Sequence, residues 1–111
     1  MDISVEDQAG RRVARIREPR IDAASSIQFK DAMRAASEGV PGPIVLDLGE
    51  VDFIDSSGLG AIVSTMKMLS PARRLELANL RPNVAKVFTL TRMDRVFVIH
   101  DALAAESGHA A

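Results

Sequence analysis

Hydrophobic and polar positions alternate along Arg12-Val13-Ala14-Arg15-Ile16-Arg17, the mark of a strand with one face buried. Ile3 and Val5 keep the same period, predicting a short strand that pairs with it through a turn at Asp7-Gln8-Ala9-Gly10. Pro19 ends the second strand. From Asp22 to Glu38 the period lengthens. Phe29, Ala32, Met33 and Ala36 share one helical stripe, and Gly39, Pro41, Gly42 and Pro43 stop the helix. Ile44-Val45-Leu46-Asp47-Leu48 is a compact apolar run expected in the middle of a sheet. A helix to about Leu69 follows the serines after Asp55, and Pro71 closes it. Leu75 to Leu80 alternates again, and Pro82 suits the first turn of a third helix with stripe Val84, Val87, Phe88 and Thr91. Arg95 to Ile99 reads as a last strand, followed by a helix from Asp101 and a frayed tail over 106–111. Strands alternating with helices through short connections predict an α/β fold, a mixed sheet of four to five strands with about four helices. Nothing divides the sequence, so residues 1–111 read as a single domain with its core at about 11–105.

Composition narrows the chemistry. A chain of 111 residues, 47% hydrophobic, can bury a core without staples. The absence of cysteine excludes disulfides, thiol catalysis and cysteine-ligated zinc, and two histidines, His100 and His109, are too few for an all-protein metal cluster. With 14 basic and 15 acidic residues there is no footprint for nucleic acid. The clusters Arg11-Arg12, Arg73-Arg74 and Arg92/Arg95 are scattered and read as solvated strand ends. Asp47, Glu50, Asp52 and Asp55 sit close in sequence, but alternating strand residues point to opposite faces, so no metal or other cofactor is expected. The longest apolar stretches run about six residues, as in Gly58 to Val63, against the ~20 needed to cross a bilayer. The acidic N-terminus does not resemble a signal peptide. The expectation is a cytoplasmic protein with no membrane insertion.

The strongest chemical signal is Asp55-Ser56-Ser57-Gly58-Leu59-Gly60, where a strand hands over to a helix. Asp and Ser oxygens accept hydrogen bonds from the first free N–H groups of a helix, whose start also favours an anion. Gly58 and Gly60 each cost roughly 1 kcal/mol against alanine in a helix. Two of them imply that another backbone or a partner comes close. At 100° per residue Leu59, Ile62, Val63, Met66 and Leu69 converge on one side, predicted to pack on the sheet. Ser57, Ala61, Ser64 and Met68 collect on the other, a small, uncharged strip that reads as a docking surface for another protein.

Val51-Asp52-Phe53-Ile54-Asp55-Ser56-Ser57-Gly58-Leu59-Gly60 resembles the phosphorylation-site motif of STAS domains of the anti-sigma factor antagonist type. Ile21-Asp22, Leu75 to Leu80 and Thr91 to Val98 extend the resemblance over about residues 11 to 105. It implies a bacterial, non-enzymatic regulator of transcription whose unphosphorylated form binds an anti-sigma factor that is also a serine kinase, releasing sigma. Phosphorylation of Ser56, with Ser57 as second candidate, would switch binding off, and a serine/threonine phosphatase would restore it. Asp55, Gly58 and Gly60 are then the phosphosite's neighbours, and Asp22 joins Ser57, Ala61, Ser64 and Met68 in partner binding. The sequence departs from the family pattern at Glu18-Pro19-Arg20, at Thr91-Arg92-Met93 and at Arg81, where a serine cap is common before Pro82. Two alternatives within the same family are a docking subunit of a transport complex that is never phosphorylated and a weak nucleotide-binding module. The glycine-rich start of the helix lacks the lysine of a phosphate-binding loop. A hydrolase reading fails because no Gly-x-Ser-x-Gly elbow surrounds Ser56.

Overall fold

The computed structural model describes residues 1–39, 42–69 and 73–101. Strands β1 (Ile3–Gln8) and β2 (Arg11–Ile16) form an antiparallel hairpin. Its two turn residues, Ala9 and Gly10, have φ of 49° and 82°, the paired positive values that match the twist of a two-residue hairpin loop. The chain continues through β3 (Arg20–Ile21) into α1 (Ser26–Ala36), then β4 (Ile44–Asp47), β5 (Phe53–Ile54) and α2 (Ser56–Leu69). After β6 (Leu75–Ala78) come α3 (Pro82–Leu90), a 3₁₀ turn at Met93–Arg95 and β7 (Ile99–His100). The five-stranded sheet has the order β1-β2-β4-β6-β7, parallel from β2 onward, so it is mixed as the sequence implies. Among the described residues three α-helices accompany it.

Strand alternation sorts the side chains. Ala14, Ile16, Ile44, Leu46, Leu75 and Leu77 share one core with Phe29 and Met33 of α1, Ile62 and Leu69 of α2, and Val84 and Phe88 of α3. Val13, Val45 and Ala78 form a small separate cluster on the other side of the strands. Beside them Asp47, 1% exposed, accepts a hydrogen bond from Arg15 Nε at 2.9 Å, and His100 Nε2 lies 2.8 Å from Glu76 Oε1.

Two expectations change at the ends of elements. The first helix begins at Ser26 rather than Asp22, because residues 22–25 close a turn in which Ser25 N–H donates to the Asp22 carbonyl at 3.1 Å. The expected strand from Arg95 to Ile99 shrinks to Ile99–His100. Phe97 turns into the core, 6% exposed, and meets Phe88 edge-on with ring centroids 5.9 Å apart. That leaves Val96 and Val98 exposed, and Thr91 is exposed too, at the end of the stripe assigned to α3. The helix expected after Asp101 and the tail over 106–111 lie outside the described residues. No helix among those described is long and apolar enough to cross a membrane.

β2–β3–α1 and β4–β5–α2 are the same unit used twice, a long strand, a two-residue strand and a helix. The short strands pair in parallel, with Ile21 beside Ile54. Each isoleucine is followed by an aspartate, Asp22 or Asp55, and then by a helix, so α1 and α2 start side by side.

Candidate functional site at the paired helix starts

Asp55 caps α2. Its Oδ1 accepts the Gly58 N–H at 2.8 Å and its carbonyl accepts the Leu59 N–H at 2.9 Å, the pattern of an N-cap residue. Its other oxygen, Oδ2, accepts the N–H of Ala23 at 3.2 Å, across in the loop before α1. Gly58 is buried, and a Cβ there would collide with the carbonyl of Ile21. The close backbone approach inferred from two early glycines is therefore internal at Gly58. At Gly60, which is exposed, a Cβ would meet nothing within 4 Å.

Asp22 is held by its own loop. Arg20 Nε donates to Oδ2 at 3.2 Å, the Ser25 hydroxyl donates to Oδ1 at 3.2 Å, and the Asp22 N–H donates to Ser25 Oγ at 3.0 Å. The Arg20 guanidinium, seconded by Ser25, keeps this carboxyl below the usual carboxylate range against an opposing contribution from burial. The same guanidinium lies 4.4 Å from the centre of the Phe53 ring, a cation–π contact, and Phe53 is itself 41% exposed.

Ser56 and Ser57 are both exposed in the first turn of α2, with Ser64 and Met68 exposed further along. Ala61 is not with them. At 4% exposure it belongs to the core, a correction to the strip expected from sequence. The reason is α1, which packs along α2 and makes it bury a second flank. The buried positions are Gly58, Ala61, Ile62, Thr65 and Leu69, while Leu59, Val63 and Met66 are only half-buried. Thr65 is accommodated because its hydroxyl donates to the Ala61 carbonyl at 2.9 Å. Ile27, 69% exposed in the first turn of α1, and Phe53 add apolar surface outside the strip expected from the sequence. Ile27 was legible, because it lies off the stripe of Phe29 and Met33. Phe53 was not, since a two-residue strand has no period.

The acidic residues around the site have separate partners. Asp47 bonds Arg15 and the Gly49 N–H, Glu50 pairs with Arg17 at 3.3 Å, and Asp52 pairs with Arg81 at 3.2 Å. Arg81 thus reaches back to Asp52 and the Gly49 carbonyl, and α3 starts without a side-chain cap. Among the described residues no group of three His, Asp or Glu side chains could hold a metal ion.

The STAS domain profile matches residues 2–106. The chain belongs to the STAS domain family. Among relatives, BtrV of Bordetella bronchiseptica, named as a candidate anti-sigma factor antagonist, is 29% identical over 80 residues, 71% of this chain and 69% of that protein. An anti-sigma-factor antagonist STAS domain protein from Planctomyces limnophilus shares the fold with a TM-score of 0.84 at 22% identity, over 96% of this chain and 95% of that one. The Bacillus cell fate determinant SpoIIAA, solved in its phosphorylated form, aligns over 99% of this chain and 100% of its own, with a TM-score of 0.65 and 20% identity.

Proposed function

We propose that this STAS domain is an anti-sigma factor antagonist. Its unphosphorylated form binds an anti-sigma factor serine kinase through the paired helix starts, and phosphorylation of Ser56 ends that binding. The observation that carries the reading is an exposed serine in the first turn of α2, next to a cap residue whose two carboxylate oxygens are already engaged by backbone N–H groups. The relatives named as anti-sigma factor antagonists, and a phosphorylated structure of the same fold, support it. Asp22, Ser57, Ser64 and Met68 form the contact surface, with Gly60, Phe53 and Ile27 added and Ala61 removed. The catalytic base and the nucleotide belong to the kinase, and this chain supplies only the acceptor hydroxyl.

A phosphate at Ser56 brings about −1.5 to −2 charges. The α2 N-terminus favours that anion by roughly 0.5–2 kcal/mol, so the fold tolerates it. Burying the same charge against a partner without a matching cation costs several kcal/mol, and Asp55 adds repulsion. The interface effect dominates, and ~3 kcal/mol already lowers affinity more than a hundredfold. Incubation with the kinase and ATP should add about 80 Da, one phosphate, to wild type and nothing to Ser56→Ala. Calorimetry should give Ser56→Ala wild-type affinity and Ser56→Asp a loss of at least tenfold. Equal affinities for the two variants would end the switch.

A further inference from the structure

We infer that Asp55 is a positioning residue: beyond capping α2, it fastens the β3–α1 loop, and with it Asp22, in register with Ser56 and Ser57. The inference rests on the binding surface proposed above and adds how its two halves are held together. One carboxylate serves two segments 32 residues apart, Oδ1 on the Gly58 N–H of its own helix and Oδ2 on the Ala23 N–H of the loop. Beside this clip the Asp55 N–H reaches the Ile21 carbonyl at 3.4 Å, and the missing side chain of Gly58 lets the first turn of α2 settle on that same carbonyl. Asp22 lies between Ile21 and Ala23, so its backbone is tied to α2 on both sides. Its side chain is oriented within its own loop by Arg20 and Ser25. A residue that only caps a helix needs one acceptor oxygen; Asp55 uses both.

Asparagine separates the two roles. It caps helices about as well as aspartate, but its amide offers one acceptor, so it can keep Gly58 and must release Ala23. In the Asp55→Asn variant of the isolated chain we expect a thermal midpoint close to wild type. NMR should then show the Ala23 amide exchanging about tenfold faster and moving upfield, with Asp22 and Ser25 shifting alongside it and the rest of α2 unchanged. A second variant, Ala23→Pro, removes the same donor from the loop side. Combined with Asp55→Asn it should add little, because both break one bond. A purified anti-sigma factor serine kinase from the same genome should bind either variant at least tenfold more weakly than wild type. Unaltered Ala23 and Asp22 resonances in Asp55→Asn would overturn the clip, as would wild-type affinity in a variant whose loop has moved. Failure of wild type itself to bind any such kinase would instead overturn the functional reading, and the resonances would still decide the clip.

Discussion

Two glycines in the first turns of α2 look alike in sequence and differ in what surrounds them. At Gly58 a methyl group has no room, because the Ile21 carbonyl occupies the place of the Cβ and backbone cannot swing aside. Gly58→Ala should therefore destabilise the fold by roughly 2 kcal/mol, a cost typical of overpacking, and disturb the loop that carries Asp22. At Gly60 the same methyl meets open space, and the only internal effect is relief of glycine's backbone entropy, so Gly60→Ala should stabilise by about 0.5–1 kcal/mol. Urea denaturation of the two variants should shift in opposite directions. Since nothing among the described residues accounts for Gly60, its small size fits a partner's close approach. Gly60→Ala should then weaken kinase binding while strengthening the fold. A Gly60→Ala variant that binds as wild type would remove Gly60 from the proposed surface.

At the scale of elements, the hairpin shows where the sequence is not at its optimum. Ala9 holds a φ of 49°, in the left-handed region that costs an ordinary L-residue roughly 1–2 kcal/mol and that asparagine tolerates better. With Gly10 already in place, Ala9→Asn gives the favoured Asn-Gly loop, and its urea midpoint should rise by the equivalent of about 0.5–1 kcal/mol. A lower midpoint would mean that Ala9 is held by something other than the turn. The turn was legible, although Asp7 and Gln8, expected in it, extend β1 instead. β2, β6 and α2 were legible from their periods, and β4 from its compact apolar run. β3 and β5 are two residues each and carry no period, so the pairing that puts Ile21 beside Ile54 was hidden, although the repeated Ile-Asp was in plain sight. Ala61 was misplaced for another reason. A helical stripe tells how much of a helix is apolar, but not that a neighbouring helix will claim a second flank. The last strand failed because Phe97 gains more by packing on Phe88 than Arg95–Val98 would by extending an edge. The candidate site fared similarly. Ser56, Ser57 and Asp55 could be named from the motif, whereas the bond from Ala23 to Asp55 depends on tertiary register alone.

Over the whole molecule, each end of α1 is tied to an arginine–aspartate pair, directly by the arginine at its C-terminal end and through the aspartate at its start. At its C-terminal end Arg12 donates to the Ala36 and Glu38 carbonyls at 3.0 and 3.3 Å while its Nε bonds Asp7 at 2.7 Å. At its start Arg20 holds Asp22, which holds Ser25. Both aspartates are pulled below the ordinary carboxylate pKa, in each case mainly by the hydrogen bond from the arginine. The sign follows from proton uptake. An unfolded chain protonates these carboxyls near pH 4, while the folded chain resists until a lower pH, so acid favours unfolding across that interval. Their contribution should be complete above about pH 4 and fade as the pH falls through the folded values, and both groups are exposed enough that salt should shrink it. Urea midpoints measured from pH 6 down to pH 2 should fall for wild type and fall less steeply for Asp7→Asn and for Asp22→Asn. Binding separates the two ends. Asp22→Asn should also weaken the kinase complex at neutral pH, because Asp22 lies at the paired helix starts, whereas Asp7→Asn, out on the hairpin, should leave affinity unchanged. Equal loss of binding in both variants would show that the kinase senses the stability of α1 rather than the charge beside Ser56, and the contact surface would have to be redrawn around the helix as a whole.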